Sequence, residues 1–306
     1  MDRRFLEKIK LIESFRIPFF GGVWYNYIRK LDNRCIEKET IPENPLNTEK
    51  RDIKITLSLT SFPARIGYAY KAIKSLMLQT VKPDRIILWL ASEQFSEKQL
   101  PESILNLQKH GLEIGWCDDL CAHKKYYYAT KEQKPDEVVI TYDDDIIYSP
   151  DSVKRLIKTH KKYPNCIVCE RAQTVSFNKD KTLKNPGRWD TISSIAVKKP
   201  SFSACPSGGG GCLLPYGAFY KDAYNKEKIK RLALRGDDLW YMFMAAENKT
   251  PVIKTRKYHR IFSTVDNSQE YQLATDNIVE NGYEKIMQNL AKEYPEAMRR
   301  ILTDKP

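Results

Sequence analysis

Three observations predict an α/β fold built on a doubly wound, mostly parallel sheet. From residue 53 onward, apolar runs of strand length alternate with stretches of helical periodicity. The links between them are short. One run, RIILWLA at 85–91, is apolar without alternation, as a strand covered on both faces must be. With 306 residues, 42% of them hydrophobic, the chain is long enough for one large domain of this kind.

The elements follow in order. IKITLSLT (53–60) is the first strand and SFPAR its turn, and the next helix carries Ile66, Ala69, Tyr70, Ile73, Leu76 and Met77 on one face. RIILWLA is the second strand, a helix is expected near 97–109, and LEIGWC (112–117) is the third strand. A short helix with Lys124 and Lys125 precedes the fourth strand, EVVITYDDDIIY (137–148), and Val153, Leu156, Ile157 and His160 share a face of the helix after it. NCIVCERA reads as another buried strand. Residues 173–207 are polar and interrupted by Pro186, Gly187, Pro200 and Pro206, an irregular segment of the kind that covers an active site. GDDLWYMFMAAENK is an amphipathic helix, PVIKT (251–255) the last strand, and Tyr283 to Leu302 a charged helical tail.

Residues 1–50 stand apart. FRIPFFGGVWYNYIRK mixes aromatics with Arg16, Arg29 and Lys30, and TIPENPLNTEK reads as a linker. Two readings of the aromatic stretch are open: it lies on a bilayer surface, or it covers part of the main domain.

Composition narrows the function classes. Lysine and arginine number 51 against 39 acids, a net charge of +12 that admits nucleic acid, an anionic membrane surface or a phosphate-bearing substrate as partner. The excess is scattered and no recognised basic–aromatic nucleic-acid module is present, so no nucleic-acid partner is expected. No apolar run approaches a membrane span, and MDRRFLEKIK is not a secretory signal. Seven cysteines, an odd number at low density, suggest reduced thiols and a cytoplasmic setting. Cys166 and Cys169 sit three apart on a strand and point to opposite faces, so they cannot share a zinc ion with Cys117 and Cys121.

The sharpest chemical signal is Asp143-Asp144-Asp145 at the end of an apolar strand. Adjacent carboxylates repel unless a cation sits among them, and ligands of open α/β sheets bind beyond the strands' carboxyl ends. Strand alternation places Asp143 and Asp145 on one face and Asp144 on the other, giving two hard oxygen donors suited to Mn2+ or Mg2+. Gly236-Asp237-Asp238 opens a helix; one acid serves as a cap, and the second is free to act as a general base. Gly208 to Gly211 give a backbone able to pass close to a ligand, and neither a dinucleotide fingerprint nor a Walker loop is present. His259 follows the last strand. Arg65, Lys124 and Lys125 near strand ends suit a diphosphate, and Asp118 and Asp119 a base or ribose.

Taken in order, these residues resemble the GT-A glycosyltransferases, and more narrowly the bacterial family 2-like sugar transferases, over roughly residues 53–262. SLTSFPARI, QTVKPDRIILWLA, GLEIGWCDDL with HKKYYYA, and ITYDDDIIY look like that family's nucleotide-binding half. Its DxD matches Asp143 and Asp145, its glycine-rich loop Gly208 to Gly211, its xED Gly236-Asp237-Asp238, and its C-terminal metal-binding histidine His259. GDD replaces the usual ED pair but keeps the final acid, and the run of three acids leaves open whether Asp143 or Asp144 touches the ribose.

The resemblance implies a single catalytic domain over 51–262, with a nucleotide-sugar half (51–150) and an acceptor half (151–262), flanked by extensions 1–50 and 263–306. It implies metal on Asp143, Asp145 and His259, and Asp238 as the base of an inverting transfer. It implies a nucleotide-diphosphate sugar donor, UDP-sugar favoured, near Ser61, Phe62, Arg65, Asp119, Lys124, Lys125, Asp143, Asp144, Gly209, Gly210 and Asp237. The acceptor would be a glycan or polyprenol-linked hydroxyl in bacterial surface polysaccharide synthesis, such as capsule or lipopolysaccharide, at the cytoplasmic membrane face. Rival readings are a sugar nucleotidyltransferase, whose first loop is usually richer in glycine than SFPARIGY, and a two-metal nuclease.

Overall fold

The computed structural model describes residues 21–95, 100–180, 182–190, 195–256, 262–268 and 282–304. In chain order its strands are β1 (Lys54–Thr60), β2 (Arg85–Ala91), β3 (Leu112–Cys117), β4 (Glu137–Tyr142), β5 (Ile146–Ile147), β6 (Ile167–Cys169), β7 (Ala172–Thr174), β8 (Ala204–Pro206), β9 (Gly210–Leu214), β10 (Val252–Lys254) and β11 (Ser263–Thr264). The helices are α1 (Gly21–Lys38), α2 (Ile66–Met77), α3 (Glu102–Gln108), α4 (Lys124–Lys131), α5 (Ser152–Lys162), α6 (Lys226–Leu232), α7 (Asp237–Glu247), α8 (Gly282–Glu293) and α9 (Pro295–Thr303).

Seven strands form one sheet in the order β10-β6-β9-β4-β1-β2-β3, and every pairing is parallel except those of β9. Helices cover both faces. On one, Ile73 and Leu76 of α2, Ile104 of α3 and Leu156 of α5 pack on Leu57, Leu88 and Ile140. On the other, Tyr126 of α4 and Trp240 and Phe243 of α7 pack on Ile167, Cys212 and Leu214, with Leu290 of α8 and Ile301 of α9 beyond. The expected doubly wound α/β architecture is therefore present. From β1 the chain winds out to β3, then returns to lay β4 on the other side of β1. That reversal is the position at which such sheets bind ligands.

The N-terminal helix belongs to this fold. Ile28 and Ile36 of α1 are buried, Arg29 pairs with Asp266, and Asn33 Nδ2 donates to the Thr264 carbonyl at 2.9 Å. β11, just past the expected domain end, pairs with β5.

Three expectations are corrected. The fourth strand does not run to residue 148: β4 stops at Tyr142, the acid trio forms a turn, and β5 joins a separate two-stranded sheet. The buried Tyr148 hydroxyl holds this break, accepting the Asp143 N–H at 2.7 Å and donating to the Gly209 carbonyl at 2.5 Å. Three carboxylates cannot continue inside a sheet covered on both faces. The helix expected near 97–109 is shorter, Glu102–Gln108, and residues 96–99 lie outside the described ones. The described residues of segment 173–207 are anchored in the core, and among them Ser207, the last, reaches the strand-end cavity. Val175, Trp189 and Ala204 are buried there, β7 pairs with β8, and the Asp304 carboxylate accepts from Ser201 Oγ and the Phe202 N–H, each at 2.5 Å.

Candidate active site at the strand ends

A cavity of about 380 Å³ opens at the carboxyl ends of β1 to β4. Each element brings what its end carries. The turn after β1 supplies Ser61, Phe62 and Arg65; β3 is followed by Asp119; the start of α4 gives Lys124 and Lys125; the turn after β4 gives Asp143, Asp144 and Asp145. Gly209 arrives on the turn before β9, and Asp237 and Asp238 on the first turn of α7. Of the fourteen residues to which the resemblance gives a metal, donor or base role, twelve thus line one cavity. Gly210 does not: it is the first residue of β9, buried and paired opposite Tyr142. His259 lies outside the described residues.

The carboxylates are divided differently from the alternation expected of a strand. Arg65 bridges Asp144 at 2.7 Å and Asp145 at 2.6 Å, while Lys125 takes Asp143 at 2.9 Å. The turn after Tyr142 is the cause, because alternation lapses where the strand ends. Ser61 Oγ donates to Asp144 at 2.5 Å. Burial pushes the Asp144 carboxyl up to about 7, against the pull of Arg65.

Lys125 reaches further. Its ammonium, on a side chain only 4% exposed, also pairs with Asp237 at 2.8 Å. It joins the strand-end acids to the helix-start acids, and burial, which opposes its charge, is outweighed by Asp143 and Asp237, so it stays protonated. The glycine run passes directly over this bridge. A Cβ on Gly208 would stand 3.2 Å from both Asp237 Oδ2 and Lys125 Cε, and one on Gly209 would overlap Asp143 Oδ2 at 1.6 Å. At Gly209 a side chain would have to displace the Asp143 carboxylate, and at Gly208 it would crowd the bridge.

The two helix-start acids differ. Burial raises Asp237, but the Lys125 charge prevails and holds its carboxyl below the usual range. Asp238 accepts the Gly208 N–H at 2.7 Å, and burial, with Asp237 next to it, pushes it up to about 7. An acid of this kind takes up a proton readily near neutral pH, which is the property of a general base.

The remaining cations are partly committed. Lys124 Nζ pairs with Asp119 at 2.5 Å, and Gln94 Nε2 donates to the same carboxylate at 2.8 Å. Asp118 turns away to pair with Lys226 and is not part of the lining. Sequence reasoning missed Gln94, Cys121, Arg235 and Tyr283, which also line the cavity. Arg235 lies two residues before Asp237 and was within reach of that motif; Tyr283, from α8, carries no local signal.

The donor chemistry suits a divalent cation. Asp143, 39% exposed, and Asp145, 14% exposed, present hard oxygens to one cavity. Among the described residues no group of three acidic, histidine or cysteine side chains forms a protein cage. The other positions would therefore fall to phosphate oxygens and water, as is usual for Mg2+.

No protein-family model matches the chain, and no curated protein is similar to it at a significant level. Among solved structures it is similar to 4-diphosphocytidyl-2C-methyl-D-erythritol synthase from Anaerococcus prevotii, at 12% identity over 76% of this chain and 100% of that one, with a TM-score of 0.43. It is also similar to a mannosyltransferase from Pyrobaculum calidifontis solved in complex with GDP-Man and Mn2+, at 11% identity over 81% of this chain and 66% of that one, with a TM-score of 0.42. Likeness this distant says nothing of activity.

Proposed function

We propose that the chain is a metal-dependent, inverting glycosyltransferase of the GT-A kind, moving a sugar from a nucleotide-diphosphate donor to an acceptor hydroxyl. One observation carries this reading: a single cavity at the sheet's switch point holds an acid turn suited to a cation and, across the Lys125 bridge, a second acid poised near neutrality. Phe62 offers an aromatic face for a nucleobase, and Asp119, held by Lys124 and Gln94, a hydrogen-bond acceptor for base or ribose. Asp143 and Asp145 would hold Mn2+ or Mg2+, which supplies charge stabilisation for the leaving diphosphate. Asp238 takes the proton from the acceptor hydroxyl. The oxygen attacks the anomeric carbon as the bond to the diphosphate oxygen breaks on the opposite face. We place the reaction in the cytoplasm, in bacterial surface polysaccharide synthesis.

A thermal-shift panel of UDP-, GDP- and other nucleotide sugars with Mn2+ tests this reading. A specific donor should raise the melting temperature by mass action and be consumed on adding a glycan acceptor. No shift with any donor, together with pyrophosphate release from a nucleoside triphosphate and a sugar phosphate, would replace it with a nucleotidyltransferase.

A further inference from the structure

Among the described residues, α1 is tied down on one side. Its inner face buries Ile28, Asp32, Asn33 and Ile36, and Asn33 and Arg29 bind the β11 segment through Thr264 and Asp266. Its outer face carries an aromatic end and a basic continuation. Val23 is 81% exposed, Tyr27 50% and Trp24 36%, with the Trp24 and Tyr27 rings 5.5 Å apart. Lys30 and Arg34 are exposed as well, and Val23, Tyr27, Lys30 and Arg34 follow one another at spacings of four, three and four residues, a single stripe along the helix. Glu37, also exposed, leans onto α2, pairing with Lys71 at 3.2 Å and accepting from the Tyr70 hydroxyl at 2.8 Å, so the stripe itself is positive.

Aromatic rings followed by basic side chains on one helix face match a bilayer interface, where rings sit at headgroup depth and cations meet anionic phosphates. A water-facing helix has no use for Trp24 and Tyr27 at its surface, and a dry protein interface would leave Lys30 and Arg34 poorly solvated. Among the described residues no helix is long and apolar enough to cross a membrane. The position matters. α1 contacts β11, β11 pairs with β5, and the Val265 N–H donates to the Asp145 carbonyl at 2.7 Å, so the helix flanks the acid turn of the cavity.

We propose that the Val23–Trp24–Tyr27–Lys30–Arg34 face of α1 docks the protein on an anionic phospholipid bilayer beside the cavity.

Flotation of the full chain with vesicles, without donor or metal, tests docking independently of catalysis. Wild type should float with vesicles of phosphatidylcholine containing 30% phosphatidylglycerol at 0.1 M salt, stay behind with pure phosphatidylcholine, and detach at 0.5 M salt. Trp24→Ala/Tyr27→Ala should lose most of the bound fraction, and Lys30→Glu/Arg34→Glu should lower partitioning at least roughly tenfold. Both variants should keep the wild-type melting temperature, since they alter exposed side chains. The proposal is overturned if wild type fails to float, or if both variants float as well as wild type. It is equally overturned if the variants instead break a dimer or lower the melting temperature, which would show the face to be covered by a second copy or by this chain. Flotation of a protein whose melting temperature no nucleotide sugar raises would sink the transferase reading and leave docking standing.

Discussion

Two acid clusters face the same cavity and are compensated in opposite ways. At the turn after β4 every carboxylate has a cation: Lys125 for Asp143, Arg65 for Asp144 and Asp145. At the start of α7 the pair is split, for Asp237 shares Lys125 while Asp238 has the Gly208 amide and, among the described residues, no ion pair. Burial raises Asp238 and, despite Arg65, Asp144 as well, each to about 7, so the clusters differ in the cation beside each acid rather than in how far burial lifts it. On the proposed mechanism the strand end would hold the cation, and Asp238, which has no ion pair among the described residues, would move the proton.

The largest effect should come from Asp238→Asn, which removes the base and leaves its shape. Transfer is expected to fall about 10³-fold, within the range for a positioned base, with donor binding by thermal shift unchanged. In wild type, kcat/KM should rise about tenfold per pH unit up to the Asp238 value of about 7 and then level, as the ionised acid is the active form. Stability runs the other way. The folded value lies above the ordinary 3.8, so the folded state binds this proton more tightly, and the acid's contribution to stability falls as pH rises from about 4 to about 7. Asp238→Asn should therefore gain melting temperature relative to wild type at pH 8 compared with pH 5. A gap that does not change with pH would mean that Asp238 is as well compensated as its neighbour.

Next is Lys125→Met, which strikes both clusters. Removing one partner of a buried ion pair leaves uncompensated charge and costs about 3–5 kcal/mol; the lower end is expected because Asp143 is 39% exposed and partly screened by water. Melting should drop by roughly 5 °C for a chain of this size. A double-mutant cycle with Asp143→Asn and one with Asp237→Asn should both show coupling. Coupling to only one acid would break the bridge between the clusters.

Legibility from sequence was uneven for physical reasons. The strands from 54 to 117 and the stripe of α2 stand out because burial on both faces demands long apolar runs and helical spacing. The acid motifs were legible because three adjacent carboxylates are rare without a task. Hidden from sequence was the end of β4, where Tyr148, several residues on, decides the turn. Hidden too were the partners: Arg65 and Lys125 read as candidate phosphate ligands, and only the fold reveals that they face acids from β4 and α7. Tyr283 comes from a tail that no motif touched. Long-range pairing of charges leaves no local pattern.

The smallest effect, and the finest test of the comparison, is Ser61→Ala. Ser61 Oγ is the second donor to Asp144, whose other partner is Arg65, and both side chains are buried. Losing a buried hydrogen bond to a charged acceptor costs about 1.5–3 kcal/mol, and the low end is expected here because Arg65 remains. If full compensation defines this cluster, Arg65 absorbs the loss: melting falls by a few degrees, and transfer changes less than about tenfold because no ligand oxygen has moved. A fall in transfer as deep as that of Asp238→Asn, measured at saturating donor and Mn2+, would show that the strand-end acids depend on Ser61 for their arrangement. The two clusters would then differ in geometry rather than in charge balance.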